Sequence, residues 1–282
     1  MRIIFFLFIF TYSIFAHSFV WKVQKGDSTL YLGGTIHLLR PADFPLPKEF
    51  EQAYKKSDIL TFETEMGKLN NLEFQQQMMG KMLYTDSSTL QQHLSAKTYK
   101  ALSEYFQKNN INIQMMQQMR ASMVAMTIEQ IELMKLGISQ DGVDSYFYKQ
   151  ALSDQKQTDY FETLEEQLSI ILDIGKEDED AFVRYTLESM KDINEMFIKT
   201  IKFWKNGEEQ KLSDFLILEL KRESPQLYNN LIVKRNKAWL PKIQHYLQTQ
   251  QTEFVLVGAG HLIGPDGLLE ALKQKGYSVT KL

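Results

Sequence analysis

Apolar and polar residues alternate with a period of two near both ends of the chain and with a helical period through its middle. Residues 20–24 and 29–32 alternate around Lys25-Gly26-Asp27-Ser28 and predict a β-hairpin. Residues 46–56 read as a short helix. Residues 57–65 read as a strand whose pleat sets Thr61, Glu63 and Glu65 on one face and Leu60, Phe62 and Thr64 on the other. From 69 to 136 the pattern is helical, with Ser87 or Ser88 as an N-cap and Asn109-Asn110 closing that helix. Met115, Met116, Met119, Met123 and Met126 recur at three- and four-residue spacing, as a core-facing stripe or a peptide-binding groove.

A further helix starts at Gly142-Val143-Asp144, residues 158–161 form a short strand, and Thr163 with Glu166 is a capping box for the helix that follows. Helices are predicted over 178–204, 212–221 and 226–247, the last broken or kinked by Pro241. Strand 253–257, helix 266–275 ended by Gly276, and strand 277–281 complete the chain. Strands at the ends and near 160, with helices between, predict one α/β domain over 19–282: a mixed central sheet built from N- and C-terminal segments, with the helical middle packed over it.

The first eighteen residues change this picture. Arg2 precedes thirteen uncharged residues, 3–15, and then Ala16-His17-Ser18. The run is too short to span a bilayer comfortably, so 1–18 reads as a secretory signal peptide, with an uncleaved membrane anchor as the alternative. An exported protein of periplasmic or extracellular location is expected, with no stable membrane insertion after cleavage. The formal net charge is −3, and the leader contains one arginine and no acid, so the mature chain is one unit more negative. No basic stripe invites nucleic acid. Cysteine is absent, which excludes disulfides, a thiol nucleophile and a lipid-bearing cysteine.

Candidate chemistry begins with a repeated pattern. "LYLGGTIH" ends at His37 and "FVLVGAGH" ends at His261, each an apolar strand-like run followed by glycines and a histidine, read as strand, glycine turn, histidine. One such histidine would be a turn residue; two at matched positions place two imidazoles on one sheet edge. Glu63, at the end of its own strand, can reach the same edge. His37, His261 and Glu63 around an open position form the ligand set of a hydrolytic divalent-metal site, in which the metal lowers the pKa of water toward neutrality. Glu65 could orient or deprotonate that water, or is a solvated strand end. The set accepts Zn, Mn, Co or Fe.

Other chemistries fare worse. "GAGHLIG" imitates a dinucleotide-binding glycine pattern, but the next strand ends in Lys281-Leu282 without an acid for a ribose. Neither a Gly-x-Ser-x-Gly elbow nor a His-Glu-x-x-His helix occurs. His17, His93 and His245 read as structural or solvated.

The two Gly-x-x-His turns, together with "GTIHLLRPADFPLP", "FETE", "GVDSYFY", "FETLEEQ", "KRNKAWLPKI" and "VLVGAGHLIGPDGLLEALKQKGYSV", resemble the TraB/GumN family, related to PrgY and to the Tiki metalloproteases, and most closely its bacterial GumN-like branch. The resemblance covers the whole mature chain. It implies an α/β domain with both histidine turns and a glutamate gathered into one metal centre, and, from the Tiki branch, metal-dependent peptidase activity. His37, His261 and Glu63 match the family's histidines and acid. The position of Glu65 commonly carries Asp. Arg235 and Asn236 match an Arg-Asn pair, Glu162 the acid of "ETLEEQ", and Asp144 a further acid. On that implication Glu65 or Glu162 assists the water and Arg235 polarises a carbonyl or holds a substrate carboxylate. A helix-to-sheet salt bridge from Arg235 to Glu162 is the plainer alternative, as is a helix cap for Asp144. Asn236 and Asp144 are the candidate substrate-binding residues. The expected function is an exported metal-dependent hydrolase acting on peptides. Its rivals are a protein that sequesters a peptide or other exported ligand without cleaving it, and histidines with a purely structural role.

Overall fold

A computed structural model describes residues 18–68, 71–138 and 141–282. The expected signal segment, apart from Ser18, and His17 lie outside the described residues. Six strands form one sheet: β1 (Val20–Lys25), β2 (Ser28–Thr35), β3 (Ile59–Thr64), β4 (Gln157–Glu162), β5 (Glu253–Gly258) and β6 (Ser278–Lys281), in the order β4-β3-β5-β2-β1-β6. Strands β4, β3, β5 and β2 are mutually parallel, while β1 runs antiparallel to both β2 and β6. The expected mixed α/β sheet made from both chain ends is the observed architecture. Its four parallel strands point their carboxyl ends at one edge, where open α/β sheets place their ligands.

The β1–β2 hairpin turns at Gly26, whose φ of +60° suits glycine. Gly33 and Gly34 correct the expectation of a glycine turn, because both are paired residues within β2. Their requirement is close packing. A Cβ on Gly33 would stand 2.8 Å from the Phe254 ring, and one on Gly34 3.1 Å from Ala259 Cα and from Phe19.

Helices cover both faces of the sheet. On one face α1 (Lys48–Lys56) brings Phe50 against Phe254, and Phe62 meets Tyr148 from the helix Val143–Ser153. On the opposite face Thr61 reaches the Tyr246 hydroxyl at 3.3 Å, as its alternation with Phe62 requires. The helical middle runs through α2 (Leu72–Lys81), α3 (Leu90–His93), α4 (Ala96–Lys108), α5 (Ala121–Lys135), α6 (Val143–Ser153), α7 (Leu164–Leu172), α8 (Glu179–Ser189) and α9 (Ile193–Lys205). Then come α10 (Glu209–Leu212), α11 (Glu219–Glu223), α12 (Pro225–Tyr228), α13 (Lys234–Tyr246), α14 (Ala259–Leu262) and α15 (Leu268–Gln274), with π-helical turns at Ser213–Leu218 and Asn229–Val233.

Several expected elements differ. The helical stretch over 69–136 divides into the four helices α2–α5, and residues 82–84 fold back on 118–120 through Tyr84 N–H to Gln118 O (2.8 Å) and Arg120 N–H to Met82 O (3.0 Å). Thr89 and Ser95, rather than Ser87 or Ser88, cap α3 and α4, while Asn109 and Asn110 do close α4. The methionines form no single buried stripe, since Met123 is buried but Met115 is 74% exposed and Met126 42%. Leu90, Leu102, Phe106, Val124, Ile128 and Val183 instead build a second, smaller core. Pro241 sits inside an unbroken α13, and the irregular turn falls earlier, at Asn229–Val233. His93 donates from Nδ1 to Glu179 at 2.8 Å and stacks on Tyr84, a structural role, and His245 is exposed.

Candidate functional site

The carboxyl edge of the parallel strands collects the candidate residues. Thr35 ends β2, and His37 follows two residues later; Glu63 and Glu162 lie at the ends of β3 and β4; His261 sits in α14 just after β5. Helix α13 crosses this edge and brings Arg235, Asn236 and Trp239 with it.

Each histidine is held through Nδ1. His37 donates Nδ1–H to Asp144 Oδ2 (2.8 Å), whose other oxygen accepts from the Thr35 hydroxyl (3.0 Å). Asp144 is brought there because the start of α6 docks on the backbone after β2, with Val143 N–H bonded to Ile36 O at 3.0 Å. Gly142 permits this approach, since a Cβ would lie 2.2 Å from the His37 carbonyl carbon. Asp144 therefore fixes a histidine rather than capping α6, whose N-cap is Gly142. His261 donates Nδ1–H to Asn236 Oδ1 (2.8 Å), and Asn236 Nδ2 donates to the His261 and Asp266 carbonyls. These anchors leave both Nε2 atoms turned toward Glu63 Oε1, each at 3.8 Å. Glu63 Oε1 also accepts from Gly258 N–H at 2.6 Å, and a Cβ on Gly258 would stand 3.2 Å from that oxygen and 3.3 Å from His37 Nε2.

Arg235 ties the remaining acids together. It gives Nη2–H to Glu63 Oε2 (2.7 Å) and Glu162 Oε2 (2.9 Å), Nε–H to Glu162 Oε1 (2.9 Å), and Nη1–H to His261 Nε2 (3.0 Å). Trp239, one helical turn on, donates to Glu162 Oε1 (3.0 Å), packs at a tilt against the His261 ring and underlies the guanidinium. The expected salt bridge from Arg235 to Glu162 is thus formed, and a second one reaches Glu63. Glu162 is fully engaged in positioning Arg235. Glu65 lies past the end of β3, where its carboxylate pairs with Lys68 at 2.9 Å, and it joins none of these contacts.

Electrostatics follow from burial and partners. Asp144 pushes the His37 imidazole up to about 9. Burial alone would raise the Glu63 carboxyl, but the Arg235 guanidinium, the charged His37 and the Gly258 N–H outweigh it and hold the group down at about 2. Burial drives His261 down to about 3, with Arg235 and His37 pushing the same way against Glu63. His261 is therefore neutral, with a lone pair on Nε2 that accepts from Arg235. Of the three, only His37 is open to solvent, with 59% of its side chain exposed.

The donor set suits a divalent metal. Two imidazoles have Nδ1–H tied to a carboxylate and an amide oxygen, the arrangement that orients metal-binding histidines, and an anionic carboxylate faces both Nε2 atoms. Metal–donor bonds of about 2.0–2.2 Å set tetrahedral donors about 3.4 Å apart, against 3.8 Å from each Nε2 to Glu63 Oε1. Two things must yield: the Arg235 contact on the His261 lone pair, and the Nε2 proton of His37, which Asp144 keeps charged at neutral pH. As the side chains stand, no group of three or more His, Cys, Asp or Glu among the described residues is at metal-binding spacing.

The family model described as TraB/PrgY/gumN matches residues 19–281. The chain belongs to the TraB/PrgY/gumN family. Comparison with curated proteins and with solved structures gave no match. The family match spans all four strand ends that build the site, as the sequence resemblance anticipated. Thr35, Gly142 and Trp239 escaped sequence reasoning. Trp239 alone carried a readable signal, its position four residues after Arg235 on one helix face.

Proposed function

We propose that this TraB/PrgY/gumN family protein is a divalent-metal-dependent hydrolase acting on peptides, with His37, His261 and Glu63 as the metal ligands. The observation that carries the reading is the pair of Nδ1 anchors, which leave two Nε2 atoms facing one carboxylate oxygen. A cation there supplies Lewis-acid polarisation of a carbonyl and lowers the pKa of water toward neutrality.

The chain's own residues do the rest. Substrate approaches from the side of His37, the exposed member of the set. Glu162 and Trp239 hold Arg235 in place, and its Nη1, once released from His261, is the donor available to a carbonyl oxygen or a substrate carboxylate. Asp144 and Asn236 act as positioning residues for the two histidines. The uncharged stretch 3–15 after Arg2 supports export, so the substrate is an exported or extracellular peptide. Among the described residues no helix is long and apolar enough to cross a membrane.

Incubation of the protein with a peptide library, with and without added Zn or Mn, read by mass spectrometry, tests the reading. Metal-dependent cleavage lost in Glu63→Gln supports it. The second reading, capture without cleavage, is favoured by the Arg235 contact that fills the His261 lone pair; intact peptide recovered in stoichiometric complex would establish it instead.

A further inference from the structure

A groove of about 1230 Å³ lies between α8–α9 and the segment from the π-helical turn Ser213–Leu218 to Asn230. It is larger than the roughly 300–1,000 Å³ of a small-molecule pocket. Its apolar lining includes Phe182, Phe215, Leu216, Ile217, Leu220 and Leu227. Seven carboxylates and two lysines also line it. Both lysines are already engaged, Lys176 with Asp173 at 2.8 Å and Lys199 with Glu195 at 2.5 Å. Arg222, outside the lining, pairs with Glu223 and Glu219. Glu188 and Asp192 are exposed, one helical turn apart, and have no ion pair or hydrogen bond among the described residues. Exposed Tyr185 and Met196 flank them.

This combination selects a partner. An apolar surface favours apolar side chains, and an unbalanced negative rim beside it repels acidic ligands and attracts cations. The groove also abuts the site. Ile217 lines it while packing on the His261 turn, where a Cβ on Gly260 would be 2.8 Å from Ile217 Cδ1. Asn230 lines it one residue before Leu231, whose carbonyl accepts from Arg235 at 3.5 Å. Ile217 and Asn230 thus link the groove lining to the segments that pack beside His261 and Arg235.

We infer that this groove binds a cationic amphipathic peptide segment, its apolar side chains on the Phe182–Phe215–Leu220 surface and its lysines or arginines against Glu188 and Asp192. The inference names a substrate class for the proposed peptide hydrolase and rests on that reading only for the fate of the bound peptide.

Fluorescence anisotropy with a dye-labelled Leu/Lys peptide, in the presence of EDTA, tests binding apart from metal and cleavage. The Leu/Lys peptide is expected to bind, a Leu/Glu peptide not to, and Glu188→Lys/Asp192→Lys to weaken binding about tenfold or more. Both positions are exposed; should charge reversal disturb the melting curve, Glu188→Gln/Asp192→Asn gives the same comparison. Unchanged binding in a folded variant, equal binding of Leu/Glu, or equal binding of a Gly/Lys peptide would overturn the inference. Binding without cleavage after metal addition keeps the groove and removes the hydrolase reading, whereas metal-dependent cleavage of other peptides without Leu/Lys binding does the reverse.

Discussion

Arg235→Met removes one charge from the centre of the site while keeping a long apolar stem over Trp239. The guanidinium side chain is 10% exposed, and it lies between carboxylates that are 6% and 11% exposed. At an effective dielectric of about 20 the 2.7 Å contact with Glu63 is worth about 6 kcal/mol of attraction, and desolvation of the ions offsets much of it. Loss of the guanidinium leaves two buried carboxylates with only the more distant, exposed His37 as a cation, for which the expected loss of stability is about 3–5 kcal/mol at pH 7. Urea unfolding of both proteins measures it. In the native protein Glu63 is held at about 2, below its unfolded value, so its contribution is complete above about pH 4.5 and is lost as pH falls toward 2. In the variant the carboxyls take up protons at higher pH, so the difference between the proteins shrinks from pH 8 to pH 5. A loss below about 1 kcal/mol, or one that does not change over that range, would refute a buried charge cluster organised by Arg235.

Two further predictions concern other elements. Gly258 has ordinary extended backbone, so Gly258→Ala should leave urea stability within about 1 kcal/mol; its Cβ would crowd Glu63 Oε1 and His37 Nε2 and should cut peptide cleavage about a hundredfold, and full activity would contradict the placement of those atoms. Burial, reinforced by Asp58 and Asp159, pushes the Glu253 carboxyl up to about 7 at the opposite sheet edge. Because this folded value exceeds the unfolded one, stability falls as pH rises from about 4.5 past 7, by an upper figure of about 3 kcal/mol. Glu253→Gln should therefore stabilise the protein at pH 8 and have little effect at pH 5, and equal gains at both would refute the shift.

The sheet edge was legible because His37, Glu63 and His261 each follow an apolar run and Glu162 ends a short strand, and strands that share a parallel sheet end together. Period-two alternation also placed Thr61 and Glu63 toward one face, where Tyr246 and Arg235 meet them. The same alternation overreached at Glu65, because the pairing of β3 ends at Thr64 opposite Glu162 and leaves no ladder to continue it. The glycines of "LYLGG" looked like a turn because sequence gives no view of Phe254 and Ala259, whose approach leaves no room for a Cβ. Asp144 looked like a cap because its partner His37 lies 107 residues away. The helical middle is interrupted where residues 82–84 pair with 118–120, a tertiary contact with no periodic signature.

Metal analysis of the protein purified without chelators, alongside His37→Ala, addresses the central claim most directly. His37 is exposed, so its removal leaves the core intact. The site as read here predicts close to one divalent metal per chain, with affinity falling about tenfold or more in the variant. Absence of bound divalent cation even after saturation, or metal bound with equal affinity by His37→Ala, would contradict it.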